Sequence, residues 1–321
     1  MTKLFITLGP STLKKEFLES LNSKYIKLLR INLSHTEITD LMNIVKFIRK
    51  HTKIDICFDT EGAQIRNTKI VKNNLLLKKG KVIYINKSNN NKNFISLSPR
   101  NIYKKLRVKD ILHIDFNSAK IKITDESDKL FKCLVLEGGI IGSNKSISVN
   151  RNISIPPFTE KDLLAFQIAQ ELSIKNIALS FTSNASEIKK LRTFFNYKII
   201  VTSKIESKKA LKNLDSILKE TDIALIDRGD LSKEVPLPLI PKKQKDIIKS
   251  GKKRKTPVFV ATNLLESMVT KKEPTRAEVN DIYNTLIDGA SGLVLAAETA
   301  VGNYPKECID MVVKISKTCN N

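Results

Sequence analysis

Short runs of mostly apolar residues punctuate the chain and read as strands: Lys3–Leu8, Tyr25–Ile31, Lys53–Phe58, Asn176–Phe181, Lys198–Thr202, Asp222–Ile226, Pro257–Ala261 and Gly292–Ala296. Most lack the apolar–polar alternation of a half-exposed strand, as expected for parallel strands covered on both faces. Amphipathic stretches of helical period lie between them: Leu13–Leu21, Ile38–Lys50, Glu160–Leu172, Ala185–Phe195, Lys208–Lys219, Pro241–Lys252, Glu278–Ile287 and Pro305–Lys317. Pro241 and Pro305 suit a first helical turn. Eight strands alternating with eight helices predict an α/β fold of the (β/α)8 TIM-barrel type.

One stretch breaks this rhythm. From about Arg66 to Ile155 the segments shorten and alternate, as in "KVIYINKS", "KIKIT" and "FKCLVLEG", with "NNNKN" and Gly138-Gly139 between them. Alternation between turn residues reads as antiparallel sheet. The expectation is a small all-β domain over 66–153, inserted after the third strand of a barrel built from 1–65 and 154–321. In "ISIPPFTEKD", Pro156-Pro157 would stiffen the return and Thr159 would cap the next helix.

Composition adds limits. At 321 residues the chain can hold one large and one small domain, and no apolar run approaches the about 18 to 20 residues that span a bilayer. The opening "MTKLFITLGPST" is too short in apolar residues for a signal peptide. Four scattered cysteines form no CxxC pair, so neither a disulfide framework nor a zinc site is expected, and a cytoplasmic location fits. A net charge of +23 is the unusual bulk property. It is spread along the chain, mostly as lysine, with one dense run, "KKQKDIIKSGKKRK", at 242–255. The main reading is compositional bias on a solvated helix face; the lesser one is an anion-binding patch. No membrane partner is expected, and nucleic acid is the weakest candidate.

The candidate chemistry lies at the strand ends. In a barrel of this type the active site gathers at the carboxyl ends. In "VTSKIES" Lys204 and Glu206 stand two apart, hence on one side of an extended chain. Other ends carry Arg30 and "INLSH", Asp59-Thr60, "DRGD" with Asp230, Thr262, and Glu298-Thr299. Two carboxylates from adjacent strand ends, Glu206 and Asp230, without histidine or thiol, suit a hard cation such as Mg²⁺ or Mn²⁺. Arg30, Arg66 and Lys204 supply positive charge for a phosphate. Metal, guanidinium and ammonium together are equipment for phosphoryl transfer. There is no P-loop and no kinase-type glycine loop.

With these residues lined up, the sequence resembles the pyruvate kinase family over nearly its whole length. The matching pieces are "RINLSH" (30–35), "DTEGAQIR" (59–66), "SKIES" (203–207), "DRGDLSKEVP" (227–236), "ATNLLESM" (261–268), "EPTRAEVND" (273–281) and "AAETAVGNYP" (296–305). The resemblance implies transfer of the phosphoryl group of phosphoenolpyruvate to ADP, giving pyruvate and ATP. It implies that Lys204 stabilises the phosphoryl in flight and the enolate, and that Arg30 grips the phosphate. Glu206 and Asp230 would hold the divalent ion, and Thr262 and the Gly229 backbone would contact substrate, Thr262 near the proton-delivery path. Asn32, Ser34, Asp59 and Thr60 are implied as a K⁺ site. Asn32, His35, Arg66 and Lys161 would face the nucleotide. The inserted β-domain resembles that family's mobile lid.

Departures from the family pattern bear on these roles. Thr36 adds a side chain at a turn expected to be tight. Glu61, Ala63 and Gln64 stand where Lys, Pro and Glu are usual, and Gln64 bears on potassium dependence. Asp227 replaces an alanine, an extra carboxylate expected to repel substrate unless it pairs with a lysine or with Arg228. Ser232 replaces a glycine, and "DFN" (115–117) stands where Asp-Asp-Gly is common. The sequence ends at Asn321, just past the eighth predicted helix. The expectation is therefore a form without the family's C-terminal domain and its allosteric control, with homo-oligomer formation through the barrel left open. Two alternatives stand beside the kinase: a non-catalytic phosphoenolpyruvate- or ATP-binding regulatory protein, and a phosphoenolpyruvate-using enzyme with another acceptor.

Overall fold

All eight apolar runs become strands of one closed parallel barrel in the computed structural model, which describes residues 2–62, 64–68, 70, 74–87, 95–115, 118–151 and 153–319. The strands are β1 (Lys3–Thr7), β2 (Ile26–Asn32), β3 (Ile56–Asp59), β4 (Asn176–Leu179), β5 (Ile200–Ile205), β6 (Ile223–Asp227), β7 (Val258–Ala261) and β8 (Gly292–Leu295). Each pairs in parallel with its sequence neighbours, and β8 returns to β1, where Phe5 sits opposite Val294. The chain divides into two compact units, Met1–Gly62 with Pro157–Asn321, and Ala63–Pro156.

Alternation along each strand creates two apolar layers from one continuous run. Ile6, Leu29, Phe58, Ile177 and Val260 belong to the large core that the surrounding helices help to build. Their neighbours Phe5, Leu28, Cys57, Ala178, Leu225 and Phe259 form a second core inside the barrel, with the Phe5 and Phe259 rings stacked at 4.3 Å. Two positions further along, the same inward face carries Thr7, Arg30, Asp59, Ser180 and Asp227. The interior therefore changes from apolar to ionisable at the carboxyl ends of the strands. That step of two builds the charged mouth of the barrel.

Some elements differ from the pattern-based expectation. β5 runs to Ile205, so Lys204 is inside the strand, not beyond its end at Thr202. Thr202 and Ser203 are buried, and their polarity hid the continuation of the ladder. The helix expected over Lys208–Lys219 breaks at Asn213 into Lys208–Lys212 and Leu214–Glu220, and Asn213 Nδ2 donates to Ser183 O at 2.8 Å. Short helices, Arg228–Glu234 and Ala297–Ala300, come directly after β6 and β8. The basic run lies on helix Ile240–Arg254, where Lys242 pairs with Asp246, Lys245 with Asp288 and Arg254 with Asp215.

The smaller unit holds a two-stranded sheet, Asn74–Leu77 with Gly139–Gly142, and a closed seven-stranded barrel, in spatial order Leu130–Glu137, Val82–Asn86, Ile95–Ser98, Ile65–Asn67, Ser146–Val149, Ile111–Ile114 and Ala119–Glu126. Its pairs are antiparallel except Val82–Asn86 with Ile95–Ser98. Inward positions such as Ile121, Ile123, Phe131 and Val135 form its own core. The whole of "NNNKN" and the Phe116 and Asn117 of "DFN" lie outside the described residues. Among the described residues, no helix is long and apolar enough to cross a membrane.

Candidate active site

A continuous line of contacts links the strands at their carboxyl ends. Thr7 Oγ1 donates to Leu295 O of β8 at 2.7 Å and accepts from Arg30 Nε at 2.9 Å. Arg30 Nη1 donates to Asp59 Oδ2 at 3.0 Å. Asp59 Oδ1 accepts from Ser180 Oγ at 3.1 Å, and Ser180 Oγ in turn accepts from Lys204 Nζ at 3.2 Å. The Lys204 ammonium lies 2.9 Å from Glu206 Oε1, 3.5 Å from Asp227 Oδ2 and 3.6 Å from Asp59 Oδ1. Thr262 Oγ1, just past β7, closes the line by donating to Asp227 Oδ1 at 2.6 Å.

These charges sit where water does not compensate them: Arg30 is 4% exposed, Lys204 6%, and Asp59 and Glu206 1% each. Buried charges persist only when paired, and removing one member of such a pair costs about 3–5 kcal/mol. The environment sets protonation accordingly. Burial opposes the charge on Lys204, but Asp59, Glu206 and Asp227 outweigh it, and its pKa is raised. Burial pushes Glu206 up to about 8; Lys204 pulls the other way, while Asp230 and Asp227 add to the rise. Asp227 moves down: burial works against ionisation, but Lys204, the Thr262 hydroxyl and Arg30 prevail. Cys57, beneath this layer, is pushed up to about 12, first by burial and then by Asp59, and stays an inert thiol.

Unusual backbone holds the remaining pieces. Phe181 has φ +52° and donates its N–H to Glu206 Oε2 at 2.5 Å. Thr262 and Asn263 stand in succession at φ +78° and +55°, a strained arrangement for a β-branched residue. Arg228 clamps this turn, with Nε and Nη2 on Thr262 O at 3.0 and 2.6 Å, Nη2 on Asn263 O at 3.1 Å, and Nη1 on Asp281 Oδ2 at 2.7 Å. Gly229 packs beneath it; a Cβ there would come within 2.8 Å of Thr262 Cγ2.

Glu206, Asp227 and Asp230 each offer a carboxylate oxygen, and these oxygens all lie within 4.8 Å of one another. Glu206 Oε1 is buried and accepts no hydrogen bond, with the Lys204 ammonium as its ion-pair partner at 2.9 Å. An all-oxygen donor set with a buried oxygen that accepts no hydrogen bond is fit to hold a metal ion. Asp230 Oδ1 meanwhile pairs with Lys233 at 2.6 Å.

Arg30, Lys204, Glu206, Gly229, Asp230 and Thr262 thus come together as the sequence suggested. The residues of the expected monovalent site are near neighbours, Asn32 standing opposite Asp59 across β2 and β3. Asn32 Oδ1 accepts from Ser34 N at 3.0 Å, and Thr60 Oγ1 from Ser180 N at 2.9 Å. His35 closes the single turn Leu33–His35. Thr36 lies at the bend that closes this turn with φ −118° and ψ 127°, extended backbone open to any side chain, so the turn accommodates it without glycine. Its hydroxyl donates to Asn32 O at 3.0 Å. Lys161 pairs with Glu61 at 3.4 Å, so the departure at Glu61 has a partner. Arg66 belongs to the smaller unit, where it donates to Asn144 O at 3.1 Å. Asp227 pairs with Lys204 and not with Arg228.

Thr7, Ser180 and Asp162 went unread in the sequence. The first two emerge from stepping by two along the inward face of each strand. Asp162 is wholly buried and accepts the N–H groups of Thr159, Glu61 and Gly62, at 3.0, 2.8 and 3.1 Å. It thereby fixes the loop after β3 to the first turn of helix Glu160–Glu171. The capping spacing Thr159–Asp162 was the available signal.

Residues 1–309 match the family described as "Pyruvate kinase, barrel domain". A pyruvate kinase of Thermococcus litoralis is 30% identical over 99% of this chain and 69% of its own length. One of Thermotoga maritima is 32% identical over 98% of the chain and 70% of its own, and one of Methanocaldococcus jannaschii 34% over 99% and 69%.

Proposed function

Because the chain belongs to the pyruvate kinase family and has a pyruvate-kinase-like function, we propose that the pocket around Lys204 moves the phosphoryl group of phosphoenolpyruvate to ADP. The observation that carries this reading is the buried Lys204 ammonium, held among Asp59, Glu206 and Asp227 at the carboxyl ends of the strands. Mg²⁺ or Mn²⁺ at Glu206 and Asp230 would supply Lewis-acid charge for the substrate's oxygens. Lys204 stays protonated against burial and so meets the negative charge that gathers on the phosphoryl group and on the enolate. Arg30, fixed by Thr7 and Asp59, keeps its guanidinium ready for the phosphate. As the phosphoryl passes to the β-phosphate oxygen of ADP, the enol C–O–P bond breaks at phosphorus. The enolate then takes one proton at its methylene carbon, giving pyruvate, with the Thr262 hydroxyl beside that path. On the nucleotide side, Asn32, His35 and Lys161 are the groups assigned, and Asn32, Ser34, Asp59 and Thr60 those assigned to K⁺.

A phosphorus NMR time course with phosphoenolpyruvate, ADP and Mg²⁺, with and without K⁺, tests the assignment against a Lys204→Met control. ATP formed by the native chain alone supports it, and equal rates without K⁺ would remove the monovalent site. Intact phosphoenolpyruvate in every tube sinks the kinase and leaves a binding protein or another acceptor.

A further inference from the structure

Asp227 is the residue that the family-based metal assignment omits. Its Oδ1 is engaged by Thr262, while Oδ2 has the Lys204 ammonium at 3.5 Å, too far for a strong hydrogen bond. Its nearest oxygen lies within 4.8 Å of both Glu206 and Asp230. Glu206, whose Oε1 is buried, accepts no hydrogen bond and has only the Lys204 ammonium beside it, belongs to the same group.

We propose that Asp227 is a third carboxylate ligand of the divalent ion, so that this chain holds its metal at a three-carboxylate site before any substrate arrives. The proposal rests on the reading of Glu206 and Asp230 as metal ligands. Charge supports it. Affinity of hard-oxygen sites rises with the count of charged ligands. The extra carboxylate, expected from the sequence to repel a phosphate, is thereby turned to holding the ion that binds one.

Titration of the full chain with Mn²⁺, in the absence of substrate and followed by the loss of the free-ion EPR signal, tests this. Asp227→Asn keeps an acceptor for the Thr262 hydroxyl while losing the charge, and Asp227→Ala removes both; circular dichroism in EDTA verifies that each is folded. Both variants are expected to bind Mn²⁺ roughly tenfold or more weakly than the native chain. Native-like binding by a folded Asp227→Asn, with binding lost in Glu206→Gln, overturns the role of Asp227 and leaves the two-carboxylate site standing. Failure of the native chain itself to bind Mn²⁺ overturns both.

Discussion

The Lys204 ammonium lies 2.9 Å from Glu206 Oε1, although the two residues belong to one stretch of chain and are separated by a single residue. An extended backbone places both on the inward face, and the barrel closes around them. Replacing Lys204 by Met keeps most of the volume and removes the charge. Phosphoryl transfer should fall by about 10²–10³ or more, the scale for losing one fixed electrostatic group. Asp59, Glu206 and Asp227 would lose their shared counter-charge, and stability should drop by about 3–5 kcal/mol. Phosphorus NMR and urea unfolding without metal read the two effects, and turnover within a few fold of native would refute the role.

Arg30 uses two arms of its fork, Nε on Thr7 and Nη1 on Asp59. Lysine has one nitrogen and cannot hold both while keeping its place. Arg30→Lys should therefore lower kcat/KM by about 10- to 100-fold, the worth of one hydrogen bond to a charged group. Steady-state kinetics at saturating ADP provide the measurement, and an unchanged kcat/KM would mean that the fork is only structural.

The barrel was legible because its strands are nearly uninterrupted apolar runs, and few folds bury parallel strands on both faces. The pairing of Lys204 with Glu206 was legible for a similar reason, since a period of two needs no knowledge of the fold. Polar residues inside the barrel mouth were harder. Thr202 and Ser203 look like the end of a strand until closure buries them, and Ser180 looks like an ordinary polar residue near the end of the predicted strand Asn176–Phe181. Asp227 could be seen as an extra charge, but its partner could not be chosen: Arg228 is adjacent in sequence, yet the turn after β7 engages it instead. Such choices are made by long-range register, which local pattern does not carry.

The Arg228 fork offers a way to test the strained turn. It holds the carbonyls of two residues at positive φ, Thr262 and Asn263, while Asp281 anchors it from behind. Arg228→Lys retains a charge for Asp281 but not the planar grip. With Thr262 free to leave its strained conformation, its hydroxyl should lose its place on Asp227. A fall in kcat of at least about tenfold is expected, with stability changed by no more than about 1–2 kcal/mol because relief of strain offsets the lost bonds. Thermal unfolding and kcat together check it; a native kcat would show that Thr262 needs no clamp.

Glu278 gives a prediction about pH. It forms the capping box of helix Arg276–Ile287 with Thr275 and also accepts from the N–H and hydroxyl of Ser267, at 2.7 and 2.5 Å. Burial works against its ionisation, but the Ser267 and Thr275 donors prevail and its pKa is lowered. A carboxyl whose folded pKa is depressed binds its proton more weakly in the folded than in the unfolded chain. Its contribution is therefore complete above the ordinary glutamate range and fades as pH falls through that range and below. Glu278→Gln should cost about 1 kcal/mol at neutral pH, the usual worth of a cap. The difference between native and variant should shrink on acidification, whereas a gap independent of pH would assign the effect to packing and not to charge. Urea unfolding of both proteins at several pH values from neutral to acid makes that comparison.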